Sequence, residues 1–339
     1  MHSPSAFDRI NLGLHMSPPN QTAPQFETGV WAERNGFDSL YLPDGMGRMD
    51  AFTMGAGLAP QTSTIRLCLG IVPVFTRPAA VIATSAMTLS HLAPDRFVLG
   101  LGASSHTMVD RWYGTPFERP LTRVRETTQL VKSILAGERT NFDGRTIRSH
   151  SFRLGIQPQG NIPIHLAALK PKMLELAGEM ADGVILNLVP LELVPQMLEH
   201  IDTGAKRSGR RVEDLDVAVY LYAFATDAIE TAEREMANIA AGYFSTPVYN
   251  NFLDWMGYPV EAKQIIDGFA ERDRNKTLNA FSSEVLHKLG IIGSAEECRS
   301  RIVEYANAGI TTPVIAAAAA DPGIYRSTLD ALARPARDS

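Results

Sequence analysis

Short runs of consecutive apolar residues alternate with longer amphipathic stretches along almost the whole chain. Eight such runs stand out, at residues 10–15, 39–42, 65–71, 96–100, 163–166, 183–186, 215–224 and 312–315. Their cores are apolar on successive positions rather than on every second one, the pattern of strands buried on both faces. Helical sequence follows most of them. Met173, Leu176, Ala177, Met180 and Ala181 fall at i, i+3, i+4, i+7 and i+8, with Pro171 suited to the first turn and Asp182-Gly183 as a stop before Val184-Ile185-Leu186. Leu121, Val124, Thr128, Val131 and Leu135 predict a second helix face.

Eight strand–helix units in 339 residues predict an α/β fold of the (β/α)8 TIM-barrel type, as one domain over residues 1–339. A doubly wound sheet fits less well, because no Gly-x-Gly-x-x-Gly stretch with a downstream acid and no Walker sequence is present. Two segments interrupt the repeat. Residues 141–154 read as a hairpin around Phe142-Asp143-Gly144-Arg145. Residues 242–290, between the seventh and eighth units, hold Trp255, Met256, Tyr258 and several short helical pieces. Long insertions after barrel strands shape the active-site mouth; a packing or dimer element is the alternative.

Composition narrows the function classes. At 45% hydrophobic and 20% charged residues, the chain is an ordinary soluble globular protein. A net charge of −5 argues against a nucleic-acid surface. No apolar run approaches the roughly 20 residues of a membrane span, Ala316–Ala320 included, and the N-terminal residues lack the regions of a signal peptide. Cys68 and Cys298 make no disulfide framework, so a reducing cytoplasm is the default, with Cys68 a small buried residue.

Candidate chemistry gathers where strands end. The apolar run Phe97-Val98-Leu99 breaks on Gly100, Gly102, Ala103, Ser104 and Ser105, small residues that let a ligand approach the backbone, with Ser capping of the next helix as the structural alternative. Ala167-Ala168-Leu169-Lys170-Pro171 leads into a helix whose free N-terminal amides suit an anion. His15 ends the first strand and His106 follows the fourth; a histidine near neutral pKa suits general acid–base work. His91 and His165 read as structural. Asn187 ends the sixth strand as a pocket residue, and Trp112, Tyr113 and Glu118 either wall the pocket or cover the rim. No metal-ligand spacing and no Gly-x-Ser-x-Gly elbow appears.

Four stretches carry a family resemblance: residues 35–44 (NGFDSLYLPD), 69–78 (LGIVPVFTRP), 95–138, and 162–187, which opens IPIHLAALKPK. With the helix at 293–298 and the strand at 312–315, they resemble the bacterial luciferase-like monooxygenase superfamily, and within it the branch that uses the deazaflavin coenzyme F420. The resemblance covers nearly the whole chain outside 242–290. It implies an oxidoreductase moving a hydride between coenzyme F420 and a small organic substrate, acting as a homodimer; charge and hydropathy already argue against nucleic-acid and membrane partners. The alternatives are an FMN-dependent monooxygenase using reduced flavin and oxygen, and a flavin-binding barrel without turnover.

Residue by residue, the resemblance implies a cis peptide at Gly70–Ile71, with Ile71 backing the ring. It implies ring and linker contacts from Gly102, Ala103, Ser104 and Ser105, and a phosphate site at Ala167, Ala168, Leu169 and Lys170. Basic Lys170, Lys172 and Arg111 would meet the polyanionic tail. The chain departs from the pattern twice. Lys170 stands where a glycine is usual, and Asp44, a coenzyme-side and catalytic candidate, is followed by Gly45 and Met46 rather than histidine. The proton donor is then sought elsewhere, at His15 or His106.

Overall fold

In a computed structural model, residues 5–16, 25–44, 47 and 49–335 are described. The departure at Gly45 and Met46 therefore lies outside the described residues. The strands are β1 Gly13–His15, β2 Ser39–Leu42, β3 Arg66–Pro73, β4 Phe97–Gly102, β5 Asn141–Asp143, β6 Arg148–His150, β7 Ile164–Ala167, β8 Gly183–Asn187, β9 Asp216–Ala225, β10 Gly290–Gly293 and β11 Thr312–Ala317.

Eight of these close a parallel ring. Its order is β9-β11-β1-β2-β3-β4-β7-β8, and β8 pairs back onto β9. Helices lie between successive strands, so the chain folds as the (β/α)8 barrel that its apolar runs predict. The hairpin is present too, as antiparallel β5 and β6. Three strands run further toward the mouth than their apolar cores suggest: β3 to Pro73, β4 to Gly102 and β11 to Ala317.

β10 was not anticipated. It pairs parallel with the C-terminal half of β9, from Gly290 opposite Tyr222 to Gly293 opposite Ala225, beyond the stretch of β9 that β8 uses. Its four residues hold only Ile291 and Ile292 between two glycines, too little apolar sequence to separate from the helix Ser283–Leu289 before it. The rest of 242–290 is helical, in Pro247–Trp255, Pro259–Ala270 and Arg274–Leu278.

Strand alternation divides the apolar residues into two sets. Tyr41, Cys68, Val98, Ile185, Ala218, Tyr220 and Val314 fill the barrel interior, and Tyr41, Cys68 and Val98 stand in register across β2, β3 and β4. Their neighbours, such as Leu40, Leu42, Leu67 and Leu69, turn outward into the larger core beneath the helices. The N-terminal end of the barrel is closed by a polar cluster. Asp216 accepts from Thr311 Oγ1 at 2.6 Å, Thr312 Oγ1 at 2.7 Å and Arg66 at 3.2 Å, with buried His165 Nε2 at 3.9 Å. His165 is structural in placement, at the end opposite the mouth. His91 sits at the end of its helix with Nε2 2.9 Å from the Gln157 carbonyl.

Candidate active site

The floor of the mouth is made by β3 and β4. Their pairing slips between Leu69 and Val72, and inside that irregularity the Gly70–Ile71 peptide is cis. Neither Gly70 in this bond nor Gly100 on the neighbouring strand has room for a side chain. A Cβ on Gly70 would overlap the Tyr220 hydroxyl, and one on Gly100 would overlap the Leu69 carbonyl. The Ile71 side chain lies over Gly100 and Gly102, and Ala167 meets the same face of Gly102. Ile71 and Ala167 are only half-buried, so this small-residue platform keeps an apolar face toward the mouth.

From across the barrel Tyr220 donates to the Gly70 carbonyl at 2.9 Å. His15, in β1, packs against the same tyrosine with ring centroids 4.6 Å apart. The structure thus brings His15, Gly70, Ile71 and Gly102 together. His106 is placed elsewhere: its side chain is 51% exposed, 3.7 Å from Asp110, and edge-on to Phe117.

Asp44 is engaged by a guanidinium. Arg77 Nη2 donates to both of its carboxylate oxygens, at 3.0 and 2.9 Å, and the Ala51 amide donates at 3.1 Å. Arg77 also pairs with Asp50, the N-cap of the helix Ala51–Leu58, and lies over the Phe52 ring. For Asp50, burial works to raise the pKa, but bonds from Thr53 and Arg77 outweigh it and hold the carboxyl below its ordinary value. An Asp44 side chain that is 5% exposed and fully paired ties the loop after β2 to the loop after β3. Arg77 lies inside the 69–78 stretch, yet nothing in its spacing announced this partner.

After β4, Ala103, Ser104 and Ser105 are half-buried. Ser104 takes φ 64°, a left-handed conformation uncommon for residues with a Cβ, and its hydroxyl donates to Met108 Sδ at 2.9 Å. Ser105 Oγ accepts from the Met108 amide at 3.3 Å, in the segment Thr107–Trp112, which winds as a π-helix with His106 as its N-cap. Trp112 and Tyr113 are 56% and 44% exposed, a rim position. After β7, buried Ala168 and half-buried Leu169 lead to Lys170, the N-cap of Pro171–Met180. Its backbone is extended, at φ −124° and ψ 162°, so the freedom of a glycine is not required there. Lys170 and Lys172 are exposed at that helix start.

On the far wall, Asn187 stands opposite Tyr220 in the β8–β9 pairing. Asn187 Nδ2 donates to Tyr249 of the insertion at 2.8 Å, while its buried Oδ1 has no partner. Two residues beyond Tyr220, Tyr222 donates to Tyr243 at 2.9 Å. These four tyrosines were missed in the sequence. The i, i+2 pair Tyr220 and Tyr222 carried a signal, since both point to one side of β9. Tyr243 and Tyr249 carried none.

The barrel mouth therefore offers a flat apolar platform, an orphaned buried carbonyl, backbone-rich loops and a basic helix start, a set that fits a planar heterocycle with an anionic tail. No group of residues able to hold a metal is found among the described residues.

The 5,10-methylenetetrahydromethanopterin reductase of Methanolobus tindarius is 30% identical over 304 residues, covering 89% of this chain and 92% of that protein. An F420-dependent glucose-6-phosphate dehydrogenase of Mycolicibacterium gilvum is 27% identical over 327 residues, covering 89% and 90%. In three dimensions, the coenzyme F420-dependent tetrahydromethanopterin reductase of Methanopyrus kandleri superposes with a TM-score of 0.77 at 24% identity, over 90% of this chain and 92% of that one, a likeness of fold. The luciferase-like monooxygenase family profile matches residues 7–312, and the chain belongs to that family.

Proposed function

We propose that this chain is a coenzyme F420-dependent oxidoreductase acting on a small organic molecule. The observation that carries the reading is the platform at Gly70–Ile71, pinned by Tyr220 and opened by Gly100 and Gly102, beneath a mouth whose loops fit a tricyclic ring. Of the two curated relatives, the F420-dependent glucose-6-phosphate dehydrogenase supports the coenzyme by its named activity. Those relatives act on different substrates, so the substrate does not follow from them.

In this reading Ile71, Gly102 and Ala167 support the ring face, and the amides and hydroxyls of Ala103, Ser104 and Ser105 meet its edge and linker. Asn187 Oδ1 accepts from an N–H of the bound ligand. Ala168, Leu169 and Lys170 receive the phosphate at the helix start, with Lys172 beside them. Bound coenzyme F420 supplies a two-electron hydride donor or acceptor. The protein holds the substrate against it and excludes water. Asp44 serves by fixing two loops through Arg77 rather than by moving a proton. Of the two histidines, His15 is the better placed for proton transfer. We also take the working unit to be a homodimer, as the family resemblance implies, in the cytoplasm, as the cysteine usage suggests; no helix among the described residues is long and apolar enough to cross a membrane.

Titration of the purified protein with coenzyme F420 and separately with FMN, followed by cofactor fluorescence, tests the reading. Saturable F420 binding with much weaker FMN binding is expected. Tight FMN binding with none for F420 would assign the chain to the flavin-dependent members instead.

A further inference from the structure

The insertion reaches the mouth through two phenols. Tyr243 closes the helix Ile229–Phe244 and Tyr249 lies in Pro247–Trp255; their rings are 4.8 Å apart. A phenol has one proton to give and lone pairs to accept with. In the Tyr222–Tyr243 bond one hydroxyl spends its proton on the other, and the pair keeps one proton in hand whichever way it points. Tyr249 accepts from Asn187 Nδ2 and has no hydrogen-bond acceptor of its own among the described residues. Burial raises the Tyr249 and Tyr222 phenols well above their ordinary value, so both stay protonated around neutrality.

The third group is Asn187 Oδ1. Asn187 is 8% exposed, and this carbonyl has no partner. A buried amide oxygen left unmatched costs stability unless a ligand satisfies it. Two unspent donors thus stand beside one unspent acceptor. Asn187 stands beside Tyr220, the residue that holds the Gly70 carbonyl under the ring platform, and the two phenols reach this place through Tyr249, which is bonded to Asn187 and packed on Tyr243.

We propose that Tyr243, Tyr249 and Asn187 form the substrate subsite, and that it recognises an amide- or lactam-type edge, a carbonyl oxygen beside an N–H. The phenols donate to the carbonyl oxygen and the Asn187 carbonyl accepts from the N–H. The assignment to substrate rests on the deazaflavin reading above. The chemistry itself is shared with the coenzyme, whose pyrimidinedione edge also carries carbonyl and N–H groups. The phenols come from the insertion rather than from the barrel loops that build the ring platform, which favours the substrate.

The test measures binding of δ-valerolactam to the F420-loaded protein by ligand-observed NMR, with N-methyl-δ-valerolactam as the probe lacking N–H. Coenzyme affinity is measured in parallel. The lactam should bind saturably and the N-methyl probe about fivefold to tenfold more weakly. Tyr249→Phe and Tyr243→Phe should each weaken the lactam by a similar factor while leaving F420 affinity unchanged; each also lowers the melting temperature somewhat, because the Asn187 amide or the Tyr222 hydroxyl loses its acceptor. Equal binding of the two probes, absence of lactam binding, or lactam affinity indifferent to both substitutions would overturn the subsite. Loss of F420 affinity in the two variants, with lactam affinity intact, would assign the edge to the coenzyme. Failure of the unmodified protein to bind F420 would instead overturn the deazaflavin reading, and the lactam comparison would then be read on the unloaded protein.

Discussion

The Tyr220 hydroxyl crosses the barrel to the Gly70 carbonyl, 2.9 Å away, and occupies the space that a Cβ on Gly70 would need. The two residues are 150 positions apart and each excludes alternatives at the other. Glycine at 70 admits the phenol, and the phenol satisfies a carbonyl that the slipped β3–β4 pairing leaves without a strand partner.

That reciprocity makes a double-mutant prediction. Gly70→Ala forces its methyl into the hydroxyl and should cost about 1–3 kcal/mol. Tyr220→Phe strands a buried carbonyl, at about 1–3 kcal/mol. In the double variant the methyl meets no hydroxyl; its next neighbour is Tyr41 Cδ1 at 3.1 Å. The combined loss should therefore fall short of the sum by about 1 kcal/mol or more. Urea unfolding of the four proteins measures this; strictly additive losses would show that the two residues are not coupled.

The pairing of Asp44 with Arg77 separates positioning from proton transfer. Arg77→Leu leaves an almost buried carboxylate uncompensated. Because the arginine is itself 24% exposed, the loss should lie between surface and buried pairs, at about 2 kcal/mol. Asp44→Asn keeps the shape of the loop and should cost less. If Asp44 only fixes loops, Asp44→Asn lowers coenzyme affinity and stability but leaves the pH profile of turnover unshifted. A vanished acidic or basic limb in that profile would restore it as a proton carrier.

How much of this could be read beforehand differs by residue. The barrel was legible because eight strands buried on both faces must be apolar on consecutive positions, whatever their partners. Gly100, Gly102, Ser104 and Lys170 were legible because strand ends and helix starts announce themselves locally. Arg77 was visible as a residue but not as the partner of Asp44, since loop-to-loop pairing leaves no period. Tyr249 reaches Asn187 across 62 residues, through an insertion whose own helices follow no barrel repeat. Such contacts are set by packing in three dimensions, and the linear pattern does not hold them.

Lys170 gives a third prediction. Its extended backbone means that Lys170→Gly removes a charge without reshaping the loop, so coenzyme binding should weaken only modestly. Lys170→Glu replaces attraction at a helix N-terminus by repulsion, a change of about 1 kcal/mol, or roughly fivefold in affinity for a polyanionic ligand. The difference should shrink as salt rises. Equal affinity for the Lys, Gly and Glu forms at low salt would remove residue 170 from the phosphate site.

The polar cluster at the opposite end of the barrel predicts how the fold responds to acid. Burial pushes His165 down from 6.5 to about 4, against the opposing pull of Asp216. Between those values the unfolded chain takes up a proton that the folded chain refuses, so stability falls as pH drops from 6.5 to about 4, by up to about 3 kcal/mol for this one residue. Asp216 acts below that window. Burial works to raise its pKa, but His165, Thr311, Thr312 and Arg66 outweigh it and hold it below 3.8. Its contribution is present above 3.8 and is lost as pH falls through the depressed folded value. His165→Gln should therefore flatten the decline between pH 6.5 and 4 while leaving a steep loss at lower pH. Urea midpoints across the range decide the matter, and an unchanged slope in the variant would show that His165 is not the group that titrates.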